Sequence, residues 1–445
     1  MQKLKKVSKI NFLFFILVIS MCYILMKMSI NSMILCSSFI FMILLLMLYK
    51  PKSGGIDIFE PLYFFSGTIA LVFYIAPMAW IIRDQIGYQG LNVMHMLPLA
   101  TLYVNLGFIA FYLGYTERRI IKFRKPRKIR GLKLINTAWI ILIISIIFAL
   151  IYDKSKGIGL RDIFLYFSSI KTSKNVEFAL SSYHFMGLFH NSMISAYLII
   201  LYNQKKYKLV TFFLGIFIAL LLLVSGSRYR LLIFLIAPII VYYLNEHKRP
   251  SSTTISIGLI GMFLVTSVVG ITRTAFKTGE AVGEFSLKFL IEAFSYNIDV
   301  FFPFYRIVDF MPTYLNYQYG MSYIEIILQF IPRAIWPNKP ETTMFLVMNQ
   351  AFGKLASGGP SYTIFGEHYV EFGLAGIIVV LFLIGKFFKS LWKSTKEKDN
   401  IIYNIEYAIL FIYILQLVTR GHTTSKMFEL IFFCSPFIIF KRCIR

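Results

Sequence analysis

The sequence predicts an all-α polytopic integral membrane protein with about twelve transmembrane helices. Hydrophobic residues make up 58% of the 445 residues, and the mean hydropathy is +0.69. Charged residues are only 15% and aromatic residues 17% of the chain, whereas disordered chains are rich in charge and poor in aromatics. Lipid is therefore the solvent predicted for most of this chain.

Twelve apolar segments are long enough to cross a bilayer, which takes roughly 17 to 25 residues in a helix. They are Ile10–Met26, Ile30–Tyr49, Pro61–Ile82, Met96–Tyr115, Leu134–Tyr152, Ala179–Tyr202, Leu209–Ser225, Leu231–Asn245, Ile255–Thr272, Ser361–Gly385, Ile401–Thr419 and Met427–Phe440. No small-residue cleavage site follows the first segment, so it is predicted to be a retained helix. An even number of crossings places both termini on one side of the membrane.

Basic residues are distributed unevenly between the two sides. About 28 of the 46 Lys and Arg lie on the side of the termini and about 18 on the other, so the positive-inside rule predicts cytoplasmic termini. The most basic loop, residues 117–133, is predicted to lie on anionic lipid head groups and not to bind nucleic acid.

The loops divide the chain into three parts. Residues 1–272 hold transmembrane helices one to nine, residues 273–360 form a large extracytoplasmic loop, and residues 361–445 hold the last three helices. Three apolar clusters in the loop are predicted to form interfacial helices lying against the bilayer, at residues 285–294, 300–304 and 323–331. The four cysteines lack the paired spacing of a disulfide framework or a zinc site.

Ionisable residues avoid the predicted midplane of the membrane. Glu367 and His368 lie near the outer end of the tenth helix, Glu429 near the outer end of the twelfth and Glu406 near the inner end of the eleventh. A proton-coupled transporter would carry acids at mid-depth. The distribution indicates chemistry or binding at the outer interface.

Two arginines occupy the predicted outer turn between the seventh and eighth helices. Arg228 and Arg230 follow Ser225-Gly226-Ser227 at the N-terminus of a helix, where guanidinium groups and the positive helix end together suit a diphosphate. The alternative is that both arginines anchor the hairpin to lipid phosphates. Arg228 is the stronger candidate, because residues two apart on a helix point in different directions.

A proline-rich block in the large loop supplies two more cations. Arg333 and Lys339 lie within Ile331-Pro332-Arg333-Ala334-Ile335-Trp336-Pro337-Asn338-Lys339-Pro340, where three prolines predict a stiff turn. It is either a rigid anion clamp or a structural elbow with lipid-facing cations. Arg273 and Arg306 are further candidates for the anion site.

Candidate proton acceptors lie at the start of the tenth helix. Glu367 and Glu371 are four apart and share a helix face, so repulsion and partial burial could keep one carboxylate ready to accept a proton. His368 and His422 are alternatives, and the carboxylates could instead pair with arginines of the outer loop. The sequence has neither an Asp-x-Asp pair nor a histidine cluster at ligand spacing, so no metal and no cofactor are predicted.

The order of these motifs resembles bacterial oligosaccharide repeat-unit polymerases of the O-antigen and capsule type, the Wzy family. It is carried by Gly226-Ser227-Arg228, then Ile331-Pro332-Arg333 with Trp336-Pro337-Asn338-Lys339-Pro340, then Gly366-Glu367 and Phe372-Gly373-Leu374-Ala375-Gly376. The resemblance spans roughly residues 225–376, and its Pro-Arg and Trp-Pro-x-Lys-Pro block is the most specific part.

This resemblance implies a GT-C-like glycosyltransferase that joins undecaprenyl-diphosphate-linked repeat units on the outer face of the bacterial plasma membrane. Lipid diphosphate would depart, with inversion and without a metal. Arg228, Arg333 and either Arg273 or Lys339 would stabilise the leaving diphosphate, and Glu367, His368 or His422 would accept the proton. A chain-length regulator and a flippase are the implied protein partners.

Other functional classes remain open from sequence. A flippase for lipid-linked oligosaccharides should lack the large outer loop and hold cations in a central cavity. A non-catalytic sugar-binding protein would need the cations but no base, and an O-antigen ligase or another GT-C transferase would share the same general plan.

Overall fold

The structure, a computed structural model, describes most of the chain. The described residues are 29–49, 57–88, 91–119, 121, 132–155, 185–204, 207–224, 228–251, 253–261, 263–264, 267, 298–328, 331, 336, 338–353, 362–398 and 400–443. The predicted first transmembrane helix, Ile10–Met26, lies outside them. Residues 268–297 also lie outside them, and these include the end of the predicted ninth helix, the first part of the large loop and the predicted interfacial cluster at 285–294.

The described residues are overwhelmingly helical. Their named helices are α1 (Ile30–Leu48), α2 (Pro61–Ile69), α3 (Ala76–Ile82), α4 (Leu97–Thr116), α5 (Leu132–Ser155), α6 (Phe189–Asn203), α7 (Lys208–Val224), α8 (Arg228–Asn245), α9 (Phe301–Phe310), α10 (Met321–Leu328), α11 (Thr343–Phe352), α12 (Ile364–Lys398), α13 (Ile401–Arg420) and α14 (Thr423–Cys443). A π-helical segment, Ala70–Ile75, joins α2 to α3. Gly87–Tyr88 pairs with Leu91–Asn92 in an antiparallel ladder, with Gly87 opposite Asn92.

Six segments of the described chain are long and apolar enough to cross a membrane. They correspond to α1, the continuous stretch from α2 to α3, α4, α5, α12 and α13, while α7 and α8 contain shorter apolar helices. These helices confirm an all-α membrane protein. The count of twelve crossings stays a prediction.

Contacts between helix ends show how consecutive helices alternate. At one end of the bundle, Glu60 before α2 accepts hydrogen bonds from Tyr49 after α1 at 2.5 Å and from Tyr115 of α4 at 2.9 Å. At the other end, Asp153 of α5 contacts His190 of α6 at 3.3 Å. We call the first the Glu60 end and the second the Asp153 end. This pairing of ends is what alternating crossings require.

Helices α4 and α12 pack closely along their length. A Cβ atom at Gly114 would collide with the backbone carbonyl of Phe382, and one at Gly385 would collide with that of Phe111. Small residues on both partners therefore let the two backbones approach, as is common between helices in membranes. The close pairing fixes the position of α12, which carries Glu367.

The middle of the large loop differs from the predicted surface helices. Helix α9 buries Phe301, Phe304, Tyr305 and Ile307 in the main hydrophobic core, and it packs against α4 and α12. The apolar cluster at 300–304 therefore belongs to the protein interior, because its aromatic rings find partners such as Phe365 there. His95, just before α4, contacts Asp309 of α9 at 3.1 Å.

Candidate active site

A partly buried basic cluster lies at the Asp153 end of the bundle, with Arg230 buried and Arg420 exposed. We define it as Arg230, Arg420, Lys426 and His422. The Nε of Arg230 donates to Asn191 Oδ1 at 2.7 Å, and the charges of Arg230 and Arg420 both act on Lys426. Lys426 Nζ donates to both carboxylate oxygens of Glu429 at 3.0 Å. Among the described residues, the charges of Arg230, Arg420 and Lys426 therefore act together beside the Glu429 carboxylate, an arrangement that favours binding of an anion.

Helix α6 contacts the basic cluster through Asn191. Asn191 is fully buried, and while its carbonyl oxygen accepts from Arg230, its amide nitrogen donates to the backbone carbonyl of Glu429 at 3.1 Å. The neighbouring His190 is also buried between Gly187 O at 3.0 Å and Asp153 Oδ2 at 3.3 Å. These contacts hold α6, α8 and α14 in a fixed relation around the cations.

His422 is the unusual member of the basic cluster. Its backbone is in the left-handed region, with φ of 61°, a conformation that costs a non-glycine residue about 1–3 kcal/mol. Its Nε2 atom is buried and has no hydrogen-bond partner in the part of the chain that the structure describes. Burial, together with the charge of Lys426, lowers the pKa of His422 to about 4, so the ring is neutral near pH 7. A strained backbone and an unsatisfied ring nitrogen are typical of functional positions.

A break in α12 docks the large loop onto the bundle. Gly373 has φ of 60° and ψ of −147°, which only glycine adopts readily, and Phe372 is also non-helical. The break leaves the carbonyls of Val370 and Glu371 free to accept from the backbone N–H groups of Gln318 at 2.9 Å and Tyr319 at 3.0 Å. The Phe-Gly-Leu-Ala-Gly sequence is therefore a docking point for the loop.

Glu371 has a structural position beside that break. Its carboxylate accepts from Gly320 N at 2.6 Å, from Ser322 N at 3.3 Å and from the Ser322 hydroxyl. These donors belong to the beginning of α10, where backbone N–H groups lack helical partners. The carboxylate thus caps α10 and does not pair with an arginine in these contacts.

An acidic cluster surrounds Tyr362. We define it as Glu325, Glu367 and Glu371, all buried. The hydroxyl of Tyr362 donates to Met344 O at 3.0 Å, and the charges of these three carboxylates act on it. Next to the cluster, His368 Nδ1 lies 3.0 Å from the hydroxyl of Tyr323. His368 is thereby engaged with α10.

The basic and acidic clusters meet at one place. Gly421, which precedes His422, packs so closely on Thr363 that an added Cβ would lie 2.6 Å from the carbonyl oxygen of Thr363. That carbonyl accepts from Glu367 N at 3.1 Å in the first turn of α12. Helix α10 also packs against α14. His422 therefore follows directly on the residue that packs against the segment before α12.

Other predicted site residues lie elsewhere or outside the described part of the chain. Arg306 is bound to Asp309 at 2.6 Å and to Ala351 O at 2.9 Å, which ties α9 to α11. Lys339 Nζ donates to Ile331 O at 3.2 Å on the surface. Arg228 begins α8, but its side chain is not among the described features, and Arg273 and Arg333 lie outside the described residues.

Sequence reasoning missed several members of the site. Lys426 was missed although it stands three residues before Glu429, which is a recognisable ion-pair spacing on a helix. Asn191 and His190 carried no such pattern, because their partners lie on other helices. Glu325 was also missed, since it stands among apolar residues of a helix assigned to the membrane surface.

Within the described residues, no group of three or more His, Cys, Asp and Glu side chains could hold a metal ion. Comparison with known proteins gives one family: the model described as O-antigen polysaccharide polymerase Wzy matches residues 8–442, nearly the whole chain. No curated protein and no solved structure matches the sequence significantly.

Proposed function

The chain belongs to the O-antigen polysaccharide polymerase Wzy family, and we propose that it joins undecaprenyl-diphosphate-linked repeat units on the outer face of the bacterial plasma membrane. At family level it is a membrane glycosyltransferase that polymerises lipid-linked oligosaccharide repeat units. The proposal adds the lipid, the side of the membrane and the roles of individual residues. A flippase would supply the units, and a chain-length regulator would act on the product.

The proposed reaction is a single displacement. A hydroxyl oxygen of the incoming unit bonds to the anomeric carbon of the growing chain, while the bond from that carbon to the phosphate oxygen breaks. The electron pair leaves with undecaprenyl diphosphate, and the hydroxyl proton passes to a base. Attack opposite the leaving group inverts the anomeric centre.

The position of His422 in the basic cluster, next to the contact between Gly421 and Thr363, is the observation that supports this proposal. Arg230 and Lys426 would bind the diphosphate, with Arg228 adding charge at the N-terminus of α8. The unpaired Nε2 of His422 would accept the proton. Glu367 is the alternative base, because it is buried one turn from the contact between Thr363 and Gly421.

Polymerisation by the purified protein should survive metal chelation. Cations of the basic cluster can neutralise the charge that develops on the leaving diphosphate, which makes a metal unnecessary. With full-length protein in nanodiscs and lipid-linked repeat units, we expect a product ladder, one lipid diphosphate per bond formed, and no change on adding excess EDTA. A ladder that vanishes with EDTA and returns with magnesium or manganese would contradict metal independence. Transport without any ladder would instead identify a flippase.

The orientation can be tested by cysteine labelling. In a variant whose four native cysteines are replaced, we expect Tyr314→Cys, between α9 and α10, to react with an impermeant thiol reagent in intact spheroplasts. Lys248→Cys, after α8, should react only after permeabilisation. The two sites are a matched pair, since Tyr314 is 72% exposed and the Lys248 side chain 64%. Labelling in the reverse order would place the candidate site in the cytoplasm.

A further inference from the structure

A cleft of about 150 Å³ lies between α10 and α11, apart from the basic cluster. Its lining includes Gln318, Glu325, Leu328, Lys339, Glu341 and Leu346. Apolar side chains cover much of the wall, and polar groups stand at a few points. Ligand sites commonly have this composition, with apolar contact supplying area and polar groups fixing orientation.

Only one of the two carboxylate oxygens of Glu325 has a hydrogen-bond partner among the described residues. Its Oε1 accepts from the backbone N and from the Oγ1 of Thr343, both at 2.6 Å, and so caps α11. Its Oε2 is buried and has no hydrogen-bond partner among the described residues. Leaving a buried carboxylate oxygen without a donor is unfavourable, because its lost hydration is not replaced. A ligand that brings a hydrogen-bond donor into the cleft would remove this cost.

The lining decides which part of a substrate could enter. Glu325 and Glu341 repel phosphate, and Lys339 is the one cation among the described residues that line the cleft. Sugar rings suit it better, because hydroxyl groups donate to a carboxylate while C–H faces pack on aliphatic side chains such as Leu328 and Leu346. The cleft also lies next to the acidic cluster, since Tyr362, just before α12, donates to the carbonyls of Thr343 at 3.3 Å and Met344 at 3.0 Å.

We propose that this cleft is a saccharide subsite, in which Glu325 Oε2 accepts a hydrogen bond from a hydroxyl of a sugar residue in the acceptor repeat unit. The inference rests on the proposed polymerase function and adds a site for the acceptor sugar. Diphosphate recognition and acceptor recognition are then separate: cations of α8 and α14 bind the former, and the α10–α11 cleft binds the latter.

The matched variants Glu325→Gln and Thr343→Val separate this role from helix capping. Gln keeps a carbonyl oxygen for Thr343 but puts an amide where Oε2 stood, whereas Val removes the capping hydroxyl and leaves the cleft carboxylate. We expect Glu325→Gln to raise the KM for lipid-linked repeat units about tenfold or more with kcat little changed, as for loss of a hydrogen bond to a charged group. Thr343→Val should leave KM unchanged. Equal increases in KM from both variants would reduce Glu325 to a helix cap and overturn the subsite.

Binding without catalysis gives an independent readout. Repeat units released from their lipid by mild acid should show saturation-transfer NMR signals with the full-length wild type, and these should be lost in Glu325→Gln and in Leu346→Phe, which narrows the cleft. If the wild type polymerises normally and Glu325→Gln leaves both KM and binding unchanged, the subsite is refuted. The proposed function would still stand. A wild type that binds the released units through Glu325 but makes no polymer would refute the polymerase function alone.

Discussion

Replacing Arg230 by alanine is expected to abolish polymer formation while the protein remains in the membrane. Arg230 is buried, anchored to Asn191 at 2.7 Å and close to the charge of Lys426, so it is positioned before substrate arrives. Loss of one preorganised donor to a developing negative charge typically costs about 10²–10³ in kcat. We therefore expect at least that loss, measured as the initial rate of ladder formation with purified protein.

Two further variants make the Arg230 result interpretable. Arg230→Lys retains the charge but loses the planar fork, so it should restore only part of the rate. Arg83→Ala removes an exposed arginine whose Nε donates to Ala79 O at 3.0 Å, and it should polymerise like the wild type. If Arg230→Ala cannot be solubilised as a folded protein, the rate of ladder formation by Arg230→Lys is compared with that of the wild type instead. Full-length polymer at the normal rate from either Arg230 variant would exclude the proposed diphosphate contact.

The membrane-spanning helices could be predicted closely from sequence because hydropathy depends on local composition. The predicted segment Ile401–Thr419 became α13, Ile401–Arg420, and Ile30–Tyr49 became α1, Ile30–Leu48. Composition could not show the π-helical segment between α2 and α3, or the break at Phe372 and Gly373 that lets the loop dock. Both depend on where backbone groups find partners in the folded bundle. The family resemblance, by contrast, rested on motif order and was confirmed.

The composition of the candidate site was predicted only in part. Glu367, His368, His422 and Arg230 were identified from their position at helix ends, and the structure puts them in or next to the two clusters. Their ranking could not be obtained in the same way. Sequence favoured Arg228 over Arg230 and Glu367 over His422, whereas the anchor at Asn191 and the unpaired Nε2 of His422 are tertiary features.

Replacing His422 by asparagine is the second substitution expected to stop polymerisation. Asparagine tolerates the left-handed backbone that His422 adopts, with φ of 61°, but cannot accept the proton at pH 7. His247→Asn is a matched control, because His247 is also a left-handed histidine, with φ of 49°, and follows α8 away from the Asp153 end. Losing a general base lowers rates by about 10²–10⁴. We expect that loss for His422→Asn and none for His247→Asn.

Comparison with Glu367→Gln then assigns the base. A rate that falls in Glu367→Gln but not in His422→Asn would transfer the role to Glu367. Equal losses in both would mean that the carboxylate and the imidazole act together. Retention of normal activity by His422→Asn would contradict the role proposed for the unpaired Nε2.

The pH dependence of the rate distinguishes a catalytic His422 from a purely structural one. In the enzyme without substrate, burial and the charge of Lys426 hold the pKa of His422 at about 4. The ring is therefore neutral above roughly pH 5 and loses its capacity as a base only below that. Bound diphosphate is negative and stabilises the protonated ring, so the pKa of His422 should rise in the complex. The acid limb of kcat should therefore lie at higher pH than that of kcat/KM. Lys426→Met removes a neighbouring positive charge and should move the limb of kcat/KM upward, towards neutral pH. A limb that stays in place in this variant would show that His422 is not the titrating base.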